Sequence, residues 1–227
     1  MGVGPVWLMI LGRGDLSVKL VLLLLEGMVV SLQIFALTLI FAIPLGLIIS
    51  FGRKSKNIII SGITSIYISI MRGTPLILQL LVVYFAPSYV FDAKVGRFTA
   101  AVIAFVLNYA AYFAEIFRGG IESIPKGQYE AGEVLGFTKL QVFFKIILPQ
   151  VIKRVLPPIS NEVITLVKDT ALVSTIAVEE MFRVAQNASS RISSVQPLFV
   201  AGAFYYVMNL VVAQAFSFAE KKLNYYR

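Results

Sequence analysis

The chain has 227 residues, of which 58% are apolar and only 14% are charged, and its mean hydropathy of +0.84 lies well outside the range of soluble proteins. The sequence contains no Cys and no His, which excludes disulfides, thiolate or imidazole metal sites and the usual general base, so we expect neither metal nor cofactor in this chain. The net charge of +8 would suit nucleic acid, but in a polytopic membrane protein basic residues more often mark cytoplasmic loops, and we expect no nucleic-acid partner.

This composition predicts an all-α integral membrane protein, a single domain over residues 1–227 with five transmembrane spans. The first span, at about residues 20–51, ends in a basic cluster at residues 53–56, which is typical of a cytoplasmic loop. The second, at about residues 58–86, is about 40 Å long as a straight helix, but residues 72–75 interrupt it. We therefore expect a span with a break.

The third span covers about residues 98–118. The fourth, at about residues 157–181, is expected to start at Pro157 and Pro158, and a polar loop at residues 186–196 follows it outside. The fifth covers about residues 197–218. The inner loops then carry roughly twice as many Lys and Arg residues as the outer ones, which predicts an outside N-terminus and an inside C-terminus. The first fifteen residues lack a basic n-region and a cleavage site, so we expect them in the mature chain.

The longest polar connection, residues 121–149, is predicted to face the cytoplasm. Good helix formers follow Gln128 up to Gly136, a plausible break, and Thr138 can cap a second short helix. Apolar residues recur in that helix at three- and four-residue steps until Pro149, which is expected to end it. On these properties alone, a plain interfacial amphipathic helix is an alternative.

A more specific pattern lies in the same connection. The sequence E-A-(A/G)-x-x-x-G, followed after nine residues by I-x-L-P, reads here as Glu130, Ala131, Gly132, Gly136, Ile146, Leu148 and Pro149. This pattern resembles the cytoplasmic signature of permease subunits of bacterial ABC importers. Three stretches resemble the polar amino acid uptake branch of that family: "AAYFAEIFRGGIESIPKGQYEAGEVLGF" (residues 110–137), "MRGTPLILQLLVVYF" (71–85) and "SNEVITLVKDTALVS" (160–174).

The resemblance covers about residues 25–220 and implies the type I permease fold of ABC importers in the bacterial cytoplasmic (inner) membrane. It makes residues 121–149 a coupling loop, in which the helix after Gln128 sits in a groove of a cytoplasmic ATPase subunit and Glu130 is the polar anchor. Small side chains at Ala131 and at Gly132, where the family usually has a second alanine, would allow close backbone approach, and Gly136 would allow the chain to turn back.

The implied partners are two copies of the ATPase subunit, an extracytoplasmic amino acid-binding protein and a second permease chain, which we expect to be identical. No G-x-x-x-x-G-K-[ST] motif occurs in the sequence. We therefore expect the nucleotide site, with its ATP and Mg²⁺, on a separate polypeptide.

Charged residues within the predicted fourth span are candidates for the transport pathway, because burying them is costly unless they pair or line a pathway. Glu162, Thr165 and Asp169 fall on one helix face with Asn161 beside them. Asp169 follows Lys168 directly and is more simply interpreted as a packing or gating charge.

Two roles remain open for Glu162. It pairs permanently with Lys168 or Arg72, or it receives the guanidinium or ammonium group of a basic amino acid. The resemblance of "SNEV" to the branch for histidine, arginine or lysine favours the second role.

The substrate carboxylate needs donors, and the break in the second span is the candidate. Thr74 before Pro75 is a natural N-cap, so we expect a half-helix whose free N–H groups face the substrate. Arg72 would add a positive charge, unless it pairs with a carboxylate at a simple kink. Asn108 either lines the same cavity or forms an interhelical hydrogen bond, and Glu115 is expected to pair with Arg118.

The sequence therefore predicts a permease subunit, not itself an enzyme, of an ATP-driven importer that takes up arginine, histidine or lysine by alternating access. A permease of the same family for glutamine or glutamate is the nearest alternative. A secondary transporter is more remote because the chain shows neither an evident internal repeat nor a paired-carboxylate relay, and a membrane scaffold would leave the polar stripe without purpose.

Overall fold

The computed structural model describes residues 14–223, with side chains from residue 18 onward, so the expectation for the N-terminal segment lies almost entirely outside the described residues. Over this range the regular structure is helical throughout. The helices are α1 (Gly14–Arg53), α2 (Ile58–Gly73), α3 (Leu76–Phe91), α4 (Arg97–Glu122), α5 (Lys126–Val134), α6 (Lys139–Val142), α7 (Leu148–Asp169), α8 (Met181–Ile192) and α9 (Gln196–Leu223).

Helix α4 lies at the centre of the bundle and packs against α1, α2, α3 and α7. Its buried face is rich in alanine, which allows the close helix approach that packing in a membrane requires. The tightest crossing is with α1, where a Cβ atom at Gly46 would lie 2.8 Å from the Phe113 Cβ and 2.9 Å from the Ala110 carbonyl oxygen. Glycine at position 46 therefore permits the α1–α4 crossing.

Three helices in the described range are long and apolar enough to cross a membrane: Val18–Arg53 within α1, α4 and α9. The pair α2 and α3 is bent by 109° at residues 74–75 and makes a fourth span if both helices belong to one. The predicted break at residues 72–75 is thus confirmed. The count of five spans and their orientation stay predictions.

The helix that carries the start of the predicted fourth span does not begin at Pro157. Helix α7 begins at Leu148 and contains both Pro157 and Pro158. The buried residues Val151 and Val155 pack against the end of α4 and against residues 121–149. This apolar burial stabilises the helix although Pro157 and Pro158 have no N–H group to donate. After Asp169 the chain continues as a 3₁₀ helix, Thr170–Ile176.

Pro149 also fails to end the helix before it. A π-helical segment, Phe143–Ile147, joins α6 to α7, and the Leu148 N–H bonds to the Phe143 carbonyl five residues back. This wider turn lets the chain pass through Pro149, which has no N–H to donate, without a break.

The predicted polar loop at residues 186–196 is largely helical. Helix α8 spans Met181–Ile192, and Glu180 caps its N-terminus with both carboxylate oxygens. Its buried residues Met181 and Ala185 pack against α1 and α9, which outweighs the polar composition of the segment.

Candidate functional site

Residues 121–149, the predicted coupling loop, follow two of their sequence signals. Gly136 has a φ of +75°, which is left-handed backbone that glycine adopts without strain. The Thr138 N–H donates to Gln141 Oε1 at 2.9 Å, and the Gln141 N–H donates to Thr138 Oγ1 at 3.4 Å. This reciprocal capping box confirms the predicted start of the second short helix at Thr138.

The exposed surface of α5 and its C-terminal end combines polar and apolar side chains. Gln128, Glu130 and Ala131 are exposed, and so are Val134 and Leu135, at 87% and 70%. Two large apolar side chains on a polar loop were a signal that the sequence interpretation missed. They extend the surface that a partner protein could cover.

Gly132 does not face outward with Ala131, contrary to the role expected for it. It is buried, and a Cβ atom at this position would lie 2.6 Å from the Val142 Cγ2. The small residue at position 132 therefore allows α5 to pack on the second short helix of the same chain.

Two polar contacts tie the coupling loop to the base of α7. Gln150 Nε2 donates to Gln128 Oε1 at 3.0 Å and to the Ile146 carbonyl at 2.8 Å. The guanidinium of Arg154 donates to the Ser123 carbonyl at the C-terminal end of α4. These hydrogen bonds join α7 to α5 at Gln128 and to the end of α4 at Ser123.

The other end of α7 carries the predicted polar stripe. Tyr109 Oη donates to the Asp169 carboxylate at 2.8 Å, so α4 holds the end of the stripe. Thr165 Oγ1 donates back to the Asn161 carbonyl at 3.0 Å, and both residues are exposed. The stripe therefore combines a tyrosine-bound carboxylate with exposed polar side chains.

Glu162 is only partly exposed and interacts electrostatically with Arg72 and with Asp169. Among the described residues it has no ion-pair partner within 4 Å, neither Lys168 nor Arg72. The same holds for Asp169, whose hydrogen-bond partner is Tyr109. The permanent ion pairs considered for these two carboxylates are absent from this part of the chain.

Arg72 lies at the C-terminal end of α2, with 44% of its side chain exposed. Its guanidinium stacks over the Tyr112 ring at 5.3 Å and approaches Glu115 Oε2 at 3.9 Å. Glu115 is already held by Arg118 at 2.7 Å, which confirms that predicted pair. Arg72 is therefore only loosely bound to its carboxylate neighbour.

The break between α2 and α3 is braced by side-chain amides. Asn108 Nδ2 donates to the Met71 carbonyl and to Gln79 Oε1, both at 3.0 Å. Gln79 Nε2 donates to Thr74 Oγ1 at 2.8 Å and to the Met71 carbonyl at 2.9 Å. Backbone carbonyls freed by the break thus find partners inside the protein, as a low-dielectric environment requires.

The predicted N-cap at Thr74 is wrong, because Pro75 occupies the N-cap position of α3 and no side chain caps it. The Thr74 hydroxyl instead donates to the Ile70 carbonyl at 2.8 Å, which turns it toward α2. Asn108 forms the interhelical hydrogen bonds that were one of its two expected roles.

One face of α4 contacts the break between α2 and α3, Arg72 and Asp169. Asn108, Tyr112 and Glu115 follow each other at four- and three-residue steps, with Tyr109 beside them. Asn108 holds the break, Tyr112 supports Arg72, and Tyr109 holds Asp169. The sequence interpretation missed both tyrosines, for which the only signal was a polar tip within an apolar run.

A model of one protein family, the binding-protein-dependent transport system inner membrane component, matches residues 42–225 of the chain. The chain belongs to this family. The predicted family is confirmed at this level, and the helical fold and the membrane location agree with it.

Several relatives in this family are similar along almost the whole chain. The putative glutamine transport system permease protein GlnP of Rickettsia typhi is 35% identical over 89% of this chain and 94% of its own. The arginine transport system permease protein ArtQ of Bacillus subtilis is 38% identical over 88% and 92% of the two chains. The L-cystine transport system permease protein TcyB of the same organism is 37% identical over 88% and 86%.

Solved structures agree with the fold. A chain from the crystal structure of an amino acid ABC transporter with histidines superimposes with a TM-score of 0.84 and 34% identity, over 90% of this chain and 96% of that one. A chain of the MetNI methionine ABC transporter in an inward-facing conformation gives a TM-score of 0.62 at 18% identity, over 90% of this chain and 94% of that one. The second likeness supports the type I permease fold alone.

Proposed function

We propose that this chain is the permease subunit of an ATP-driven importer that moves basic amino acids across the bacterial cytoplasmic membrane by alternating access. The family and its amino acid permeases support the transport of amino acids. The observation that carries the preference for basic side chains is the pair Glu162 and Asp169 on one face of α7, neither of them in an ion pair within 4 Å among the described residues.

The charge of the stripe favours a cation. Glu162 and Asp169 lie on one face of α7 with no ion-pair partner within 4 Å among the described residues, and a guanidinium or ammonium group near them supplies the missing counter-charge. Desolvation within a membrane bundle strengthens this attraction relative to water. We therefore assign the substrate side chain to Glu162 and Asp169, with Asn161 and Thr165 as polar neighbours.

The substrate carboxylate is assigned to Arg72. The guanidinium is oriented by the Tyr112 ring and only loosely held by Glu115, so an incoming carboxylate competes with a contact of 3.9 Å. Thr74 and Asn108 shape this part of the site by bracing the break.

Coupling is assigned to the exposed surface of α5, with Gln128, Glu130 and Ala131, and Gly136 sets the turn that follows it. In this proposal two ATPase subunits, which bind ATP and Mg²⁺, dock there beneath a pair of identical permease chains. An extracytoplasmic binding protein delivers the amino acid from the other side. The contacts of α5 with α7 then transmit the closure of the ATPase pair to the stripe.

A glutamine permease is the second candidate. The 35% identity with the putative glutamine permease GlnP supports it as directly as the 38% identity with ArtQ supports arginine. The two candidates differ in what they require of Glu162, because a neutral substrate amide has no charge to be neutralised.

The test is Glu162→Gln in the complete transporter, reconstituted in vesicles with ATP supplied to the ATPase. We expect the uptake efficiency for arginine relative to glutamine to fall roughly 10- to 100-fold, since a charge-assisted hydrogen bond is replaced by a neutral one. The control is Glu179→Gln, which removes an exposed carboxylate on the loop before α8 and leaves the ratio unchanged. An unchanged ratio in Glu162→Gln would favour the glutamine permease, and uptake without ATP would contradict the importer mechanism itself.

A further inference from the structure

A cavity of about 400 Å³ lies where α3 turns into α4, and no residue of the polar stripe lines it. Tyr84, Phe85 and Ser88 of α3 form one wall, and Lys94 and Arg97 form the other. Of the lining residues that the structure describes, only these two carry a formal charge.

Neither cation has a carboxylate partner within 4 Å among the residues whose side chains the structure describes. The ion pairs of the described side chains involve other residues, so Asp92, although close in sequence, lies more than 4 Å from both Lys94 and Arg97. The Arg97 Nε donates to the Tyr84 hydroxyl at 3.5 Å, a long bond that leaves the other guanidinium nitrogens available. The described part of the cavity wall thus presents two positive charges and no carboxylate, which suits an anionic ligand.

The position of the cavity along the bundle suggests the source of that anion. Helix α4 has 26 residues and is about 39 Å long, whereas the hydrocarbon core of a bilayer is about 30 Å thick. Arg97 is the first residue of α4, so it lies at the level of the lipid headgroups if α4 spans the membrane. At this level the abundant anions are lipid phosphates.

An apolar path leads from the cavity along α3. Leu78, Val82, Phe85 and Tyr89 follow each other at four-, three- and four-residue steps, and each is exposed, at 53%, 62%, 44% and 84%. Phe85 belongs both to this stripe and to the wall of the cavity. A headgroup in the cavity would therefore leave its acyl chains lying on an apolar helix face.

We propose that this cavity binds the headgroup of an anionic phospholipid, with Lys94 and Arg97 on the phosphate and the acyl chains along the exposed stripe of α3. The tyrosine and phenylalanine rings contribute the amphipathic surface that proteins place at membrane interfaces. This site is independent of the proposed amino acid pathway, so its test succeeds or fails separately from that of Glu162.

The test uses the full chain in proteoliposomes, with Trp7→Phe to remove the single native tryptophan and Val82→Trp as a fluorescent reporter on the stripe. Brominated phosphatidylglycerol and brominated phosphatidylcholine are compared as quenchers at equal mole fraction. We expect roughly tenfold preferential quenching by phosphatidylglycerol, since two basic side chains near the surface attract an anionic lipid.

The double variant Lys94→Gln/Arg97→Gln should reduce this preference to about one, whereas Lys221→Gln/Lys222→Gln, with the same loss of charge at the end of α9, should retain it. Equal quenching by both lipids in the unsubstituted background, or a preference that survives the loss of Lys94 and Arg97, would overturn the proposal. The proposal would also be overturned if soluble glycerol 3-phosphate abolished the preferential quenching by phosphatidylglycerol, because the site would then bind a free phosphate. If the loss of Lys94 and Arg97 leaves the lipid preference unchanged but abolishes the stimulation of transport by the binding protein, the cavity is a protein-docking site and the lipid proposal fails.

Discussion

Glu180 shows how a carboxyl group can be fully buried in this bundle with no ion-pair partner within 4 Å among the described residues. Its two oxygens accept hydrogen bonds from the backbone N–H groups of Phe182 and Arg183, both at 2.7 Å, and from the Tyr205 hydroxyl at 2.9 Å. The Ser31 hydroxyl of α1 adds a longer contact of 3.3 Å. Because these donors come from α1, α8 and α9, the residue joins three helices at one point.

At this position we expect Glu180→Gln to destabilise the protein by about 2 kcal/mol, because the amide NH₂ would face donors that need an acceptor. The measurement is the thermal unfolding of the purified chain in detergent. Glu179→Gln is the matched control, since Glu179 is exposed and makes only long contacts of 3.3 and 3.5 Å to Asn187. Equal melting temperatures for the two variants would show that the buried hydrogen bonds contribute little.

The helix pair α4 and α7 offers a test at the level of elements, because adjacent glycines of α4 differ in their surroundings. A Cβ atom at Gly120 would lie 2.2 Å from the Val155 Cγ1, whereas one at Gly119 would meet nothing within 4 Å. Packing of α7 against the end of α4 thus depends on the missing side chain at position 120.

Gly120→Ala should therefore destabilise the protein by about 1–3 kcal/mol through overpacking. Gly119→Ala should be neutral or stabilise it by up to about 1 kcal/mol, since alanine favours a helix. The stability of each variant is measured by thermal unfolding of the purified chain. We also expect the ATPase to bind Gly120→Ala more weakly than the unsubstituted chain, and Gly119→Ala equally well. Similar stability of the two variants would contradict the packing of α4 on α7.

The elements that the sequence predicted correctly rest on local interactions. Thr138 and Gly136 act through contacts within three residues of themselves, and the break at residues 72–75 rests on a proline and a glycine. The continuation of helix α7 through Pro157 could not be predicted from local signals, because buried contacts with residues far along the chain stabilise the helix.

The candidate site was predictable in its residue types but not in its contacts. The spacing of Glu162 and Asp169 placed both on one helix face. That Tyr109 would hold Asp169, 60 residues away, depends on how α4 and α7 cross, for which the sequence contains no local signal. The inward orientation of Gly132 and the burial of Glu180 were missed because they depend on other helix contacts, of α5 with α6 and of α8 with α1 and α9.

The proposed transport mechanism places α5 in the cytosol, in contact with the ATPase, and the polar stripe of α7 in the membrane. The contacts of Gln150 and Arg154 connect the two regions within a single chain. Since the protein has no cysteine, a thiol introduced at any described position is unique and reports on that position alone.

The most direct measurement is the labelling of Ala131→Cys by a membrane-impermeant maleimide in sealed vesicles of both orientations, with and without the ATPase. We expect Ala131→Cys to be labelled in inside-out vesicles only and to be protected when the ATPase is bound, while Lys94→Cys is labelled only in right-side-out vesicles. Labelling of position 131 from the outer side, or labelling from the inner side that the ATPase leaves unchanged, would contradict the proposed mechanism.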